Sequence, residues 1–89
     1  MTKIEIQIIN KLGLHARAAA KFVSTASSFG ATIQVGVSGR LVDGKSIMAI
    51  MMLAASKGTD LVIEASGSDE AEALSALSDL INRRFDEGE

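Results

Sequence analysis

A two-layer α+β fold, four antiparallel strands with three helices on one face, is what the sequence predicts, on three observations. Four short segments alternate apolar and polar residues with period two, the pattern of a strand with one buried and one wet face. Sheets with a wet face are usually antiparallel. Three other segments repeat their apolar residues at helical spacing. The two kinds interleave as β-α-β-β-α-β-α, with no repeat, linker or low-complexity stretch in 89 residues, so one domain is expected over 1–89.

The first strand spans residues 3 to 9, with Ile4, Ile6 and Ile8 on one face and Lys3, Glu5 and Gln7 on the other. Asn10 to Leu14 form a loop containing Gly13. From Ala16 the period becomes helical through Ala19, Phe22, Val23 and Ala26, and Gly30 is the expected stop. Ile33, Val35 and Val37 line the second strand. Ser38-Gly39 marks a tight hairpin turn, and Arg40 to Asp43 return. Ser46 stands where an N-cap belongs, ahead of a helix from Ile47 to Ser56 that Gly58 would end. Leu61, Ile63 and Ala65 face inward from a fourth strand over residues 60 to 66. Asp69, Glu70 and Glu72 open the last helix with the charge its dipole favours, and Leu74, Leu77, Leu80 and Ile81 form its apolar stripe. Asp86 to Glu89 read as a solvated, frayed end. A ferredoxin-like strand order fits the first six elements equally well.

Composition narrows the function. The apolar share of 47% argues against disorder, and no apolar run approaches bilayer length, so no membrane insertion is expected. The start, MTKIEIQI, lacks the layout of a signal peptide. No cysteine is present, which excludes disulfides and thiolate metal sites and favours a cytoplasmic protein. One histidine cannot build a multi-histidine zinc site, so neither metal nor cofactor is expected. A net charge of −2 and three phenylalanines in helical-looking segments argue against nucleic acid as a partner.

That single histidine, His15, lies immediately before the first helix. The unpaired N–H groups of a helix start, with the dipole, form an anion site. Those of Ala16, Arg17 and Ala18 share the space that the imidazole reaches. Arg17 adds a fork of donors suited to phosphate oxygens. A neutral imidazole nitrogen is a competent nucleophile. The arrangement is therefore a nucleophile beside a phosphate receptor that needs no metal. A histidine at a helix start also serves commonly as a plain solvated residue, and Arg17 as a solvated cation.

The helix after Ser46 is apolar almost all round. Ile47, Ile50 and Ala54 are assigned to the core stripe, while Met48, Met52 and Ala55 project to a flank with Met51 between. So short a domain cannot bury a whole helix circumference. The methionines form a partner-docking patch or fill an irregular core edge. Ser46 is an N-cap, or a phosphosite whose charge would alter that patch, with Lys45 as counter-charge.

GLHAR (Gly13 to Arg17) and GKSIMAIMML (Gly44 to Leu53), with the length and element order, resemble the HPr family of histidine-containing phosphocarriers of the bacterial phosphoenolpyruvate-dependent phosphotransferase system. The resemblance runs over the whole chain. It implies an open-faced β-sandwich rather than a ferredoxin-like order, and a monomeric carrier rather than an enzyme. It implies that His15 takes a phosphoryl group on Nδ1 from phosphorylated enzyme I and passes it to the A component of a sugar-specific enzyme II. Arg17 matches the phosphate-stabilising arginine, Ser46 the serine served by a dedicated kinase/phosphorylase in some bacteria, and Met48, Met51 and Met52 the docking surface. Where the family usually has proline this chain has Ala18, which restores an N–H donor at the helix mouth. Two other classes remain open: a regulatory module acting through Ser46 and the methionines, and a small acylphosphatase-like hydrolase.

Overall fold

A computed structural model describes residues 1–87. The chain forms β1 (Thr2–Gln7), α1 (Ala16–Ser27), β2 (Thr32–Val37), β3 (Arg40–Asp43), α2 (Ile47–Met52), β4 (Asp60–Ser66) and α3 (Glu70–Asn82). The strands make one antiparallel sheet in the order β1-β4-β2-β3. Strands β4 and β2 lie inside, and β1 and β3 form the edges. The ferredoxin-like alternative, which would put β1 and β3 inside, is not adopted.

Alternation places the apolar face of this sheet under the helices. Ile63 sits between Ile4 of β1 and Val35 of β2 in the register, and Ala65 sits opposite Ile33. Ile33, Val35, Leu61 and Ile63 are buried against Phe22 of α1, Ile50 of α2, and Leu77 and Ile81 of α3. The β2–β3 hairpin turns on Ser38 (φ 54°) and Gly39 (φ 84°). Two left-handed central residues define the tight turn whose twist suits paired strands. Strand β1 stops at Gln7, short of the expected residue 9, but Ile8 still exchanges hydrogen bonds with the turn before β4, at Thr59 O (2.9 Å) and Gly58 N (2.8 Å).

Three local expectations need correction. Helix α1 ends at Ser27, capped by Ser28, and Gly30 lies outside it. There Gly30 serves as a donor: its N–H and that of Ala31 reach the Asp69 carboxylate at 2.8 and 2.9 Å, which ties this loop to the start of α3. Helix α2 ends at Met52 rather than Ser56, because Ala54 turns left-handed (φ 53°) and Ala55 leaves the helix to accept from Leu14 N–H at 2.9 Å. The stripe assignment shifts in consequence. Ile50 is the buried residue of α2, Ile47 and Ala54 are exposed, and Ala55 is buried.

The third correction concerns the end of the chain. After α3, Arg84, Phe85 and Asp86 all adopt left-handed backbone, with φ of 57°, 54° and 61°. Such conformations cost about 1–2 kcal/mol per non-glycine residue. Burial of the Phe85 ring, worth about 2–3 kcal/mol, works against that cost, since Phe85 is fully buried. So does the hydrogen bond from Lys21 Nζ to Phe85 O at 2.6 Å, of a charge-assisted kind worth about 1.5–3 kcal/mol. The turn folds Glu87 back onto the start of α1, so this residue is not part of a frayed end. Gly88 and Glu89, the rest of that expected tail, lie outside the described residues.

Candidate functional site at the start of α1

His15 is the N-cap of α1, with extended backbone (φ −75°, ψ 178°), and its side chain makes no capping bond. The first intrahelical bond is Ala19 N–H to His15 O at 2.8 Å. That leaves the N–H groups of Ala16, Arg17 and Ala18 without acceptors inside the helix. Ala16 and Arg17 are exposed, whereas Ala18 is buried and packs α1 into the core. An open cleft of about 570 Å³ lies here, lined by Lys11, His15, Arg17, Lys21, Asp86 and Glu87 among others. Cations therefore flank the helix mouth on several sides, and the acidic groups enter from the terminal turn.

The loop before His15 has a close fit. Gly13 is left-handed (φ 65°), and a Cβ on it would stand 2.4 Å from Ala55 O. Only glycine combines that backbone with that approach. Its neighbour Asn10 is fully buried; Asn10 Nδ2 donates to Gly13 O at 2.9 Å and to Glu87 Oε1 at 3.0 Å. Both donors of the amide are thus used, while Oδ1 has no partner among the described residues. The other oxygen of Glu87 contacts His15 Nε2. Burial pushes the Glu87 carboxyl up, but the hydrogen bonds from Asn10 and His15, with the charges of His15 and Lys21, outweigh this and hold it below its ordinary value.

Asn10 and Glu87 were not among the predicted site residues. An asparagine in a polar-looking loop resembles any turn residue, and the one available signal for Glu87, the large apolar Phe85 just upstream, was not used. Leu12, exposed beside the cleft, was also missed.

The second group of candidates lies on α2. Ser46 caps it, accepting from Ala49 N–H at 3.2 Å. Lys45 is not held at Ser46, because its Nζ donates to Phe29 O at 2.8 Å. Met48 and Met52 are 72% and 62% exposed, and Met51 is exposed less fully. The leftover apolar surface of α2 is therefore on the outside. Leu14 bonds to Ala55, so the loop carrying His15 and the chain leaving α2 are in contact. Among the described residues no cluster of His, Cys, Asp and Glu could hold a metal ion, and no helix is long and apolar enough to cross a membrane.

Residues 2–83 match the family profile described as the PTS HPr component phosphorylation site. The chain is 61% identical over 90 residues to phosphocarrier protein HPr of Pseudomonas aeruginosa, with 100% of each chain covered. It is 58% identical over 89 residues to that of Neisseria meningitidis, again with 100% of each covered. Among solved structures, HPr-C-His from Thermoanaerobacter tengcongensis is similar with a TM-score of 0.94 at 49% identity, and 98% of each chain is covered.

Proposed function

Because the chain belongs to the HPr family of the phosphotransferase system, we propose that it carries a phosphoryl group on His15, taken from phosphorylated enzyme I and passed to the A component of a sugar-specific enzyme II. The observation that carries this reading is the N-cap position of His15, with an imidazole free of any capping bond beside N–H groups that have no acceptor inside the helix. Nδ1 of the imidazole attacks phosphorus as the P–N bond to the donor breaks. The three phosphoryl oxygens then lie toward the N–H groups of Ala16, Arg17 and Ala18 and within reach of the Arg17 guanidinium. These fixed donors stabilise charge without metal. Ala18 supplies an N–H that proline would lack.

A carrier must release as readily as it receives, which suits an open cleft better than an enclosed pocket. It must also present one surface to successive partners. Met48, Met51 and Met52 supply flexible, polarizable contacts for that purpose. Phosphorylation of Ser46 by a dedicated kinase, reversed by a phosphorylase, would place about two negative charges at the start of α2 beside Met48. The helix would keep its cap, and the apolar docking surface would gain negative charge at its edge.

The test is intact mass after mixing the chain with enzyme I, magnesium and phosphoenolpyruvate. One acid-labile phosphoryl group is expected on the parent and none on His15→Ala. Phosphorylation of both, or of neither while enzyme I is charged, overturns the assignment.

A further inference from the structure

We propose that Glu87 is a positioning residue for His15, holding the imidazole as its Nε2–H tautomer so that the Nδ1 lone pair is the nucleophile. An ionised carboxylate only accepts hydrogen bonds, and a neutral imidazole carries one N–H. Contact between Glu87 Oε2 and His15 Nε2 therefore assigns the ring proton to Nε2.

The contact is built from both sides. Asn10 Nδ2 grips Glu87 Oε1 at 3.0 Å and the carbonyl of Gly13, two residues before His15, at 2.9 Å. One buried amide thus fixes the carboxylate and the loop that carries the ring. The buried Phe85 and the Lys21 bond to its carbonyl hold the turn that delivers Glu87. The Glu87 side chain is 12% exposed against 28% for His15, so the carboxylate is the more enclosed member of the pair.

The same contact serves the transfer itself. As the N–P bond forms at Nδ1, the donor's P–N bond breaks and its electron pair returns to the donor nitrogen. No proton leaves His15. The ring keeps its Nε2–H and gains positive charge, which faces the Glu87 carboxylate. This is the role of the third member in nucleophile–base–orienter arrangements.

Two substitutions separate this role from simple packing. In Glu87→Gln, Asn10 still donates to the side-chain oxygen, so the new amide NH₂ faces His15 Nε2. That turns Nε2 into an acceptor and drives the proton to Nδ1. Glu87→Ala merely releases the ring. The near-isosteric glutamine is therefore expected to be the worse variant, whereas a packing role predicts that alanine is worse.

The first readout is ¹⁵N NMR of the His15 imidazole in the unphosphorylated full chain at about pH 8, above the ordinary imidazole range. The parent is expected to show the Nε2–H form, Glu87→Gln predominantly Nδ1–H, and Glu87→Ala a mixture. The second is the rate of phosphoryl acceptance from phosphorylated enzyme I. Glu87→Gln should slow it roughly 10- to 100-fold, less than the loss of about 10⁴ in a fully buried carboxylate–imidazole pair, and Glu87→Ala should slow it less. An unchanged tautomer in Glu87→Gln, or alanine slower than glutamine, overturns the proposal. The kinetic arm rests on the carrier reading and the tautomer arm does not, so a parent that accepts no phosphoryl group defeats that reading while NMR still decides the role of Glu87.

Discussion

Gly13 and Gly39 are both left-handed, at φ 65° and 84°, yet they answer to different constraints. A Cβ on Gly13 would meet Ala55 O at 2.4 Å and Ser56 Cα at 2.8 Å, both backbone atoms, whereas one on Gly39 would meet nothing within 4 Å. Gly39→Ala should therefore cost only the conformational term, about 1 kcal/mol. Gly13→Ala adds an overpacking cost and should lose about 3 kcal/mol. Urea unfolding of the two variants checks this, and equal losses would remove close approach as the reason for glycine before His15. At this scale the site was partly legible. His15, Arg17 and the helix N–H groups follow from local sequence, because a helix start and its orphan donors are local facts. Asn10 and Glu87 were not, because they lie 77 positions apart and only the folded chain joins them.

Helix α2 shows why element boundaries are less legible than element identity. Leu53, Ala54 and Ala55 all favour helix, so propensity alone extends it to Ser56. The chain turns instead at Ala54, because Ala55 is claimed by Leu14 N–H and by the core. Tertiary contacts thus override propensity, and they leave alanine where helices usually put glycine, just past the C-cap. Ala54 is exposed, and its left-handed backbone is costly. Ala54→Gly should relieve about 1–2 kcal/mol of conformational cost while adding roughly 0.4–1 kcal/mol of unfolded-state entropy. The expected net is a gain of about 0.5–1 kcal/mol, or about 3–6 °C in Tm for a chain of this size. A lower Tm would mean that the α2 end is not strained. The cap at the other end was legible, because Ser46 before an apolar run is a local signature and its bond to Ala49 is a local bond.

Across the whole molecule, strand directions are the same in the observed and ferredoxin-like orders, so the order of elements could not choose between them. Edge chemistry bears on the choice. Strand β3 is four residues long and β1 exposes Lys3 and Glu5, features of edges protected against further pairing. With β1 at an edge, its start is pinned from α3: Glu70 accepts from the Thr2 hydroxyl and from Gly67 N–H, and lies 3.5 Å from the amino terminus. Glu87, in the turn beyond α3, ties the far end of that helix to Asn10 and His15. Both carboxyls are held below the ordinary 4.5, Glu70 chiefly by the Thr2 and Gly67 hydrogen bonds, and Glu87 by its partners against burial. A carboxyl whose folded value is depressed adds stability above its unfolded value and loses it as pH falls through the folded value. Stability should therefore be level with respect to these two groups above about pH 5 and decline below the unfolded value. The charged groups facing Glu87 are His15 and Lys21, and both favour its ionised form. Urea unfolding at a series of pH values should show a shallower acid decline in Glu87→Gln and in Glu70→Gln than in the parent. Near-additive flattening in the double variant is expected, since the two pins lie at opposite ends of α3. Acid curves that overlay the parent in both single variants would place the acid sensitivity in other carboxyls and leave the pinned ends without a role in it.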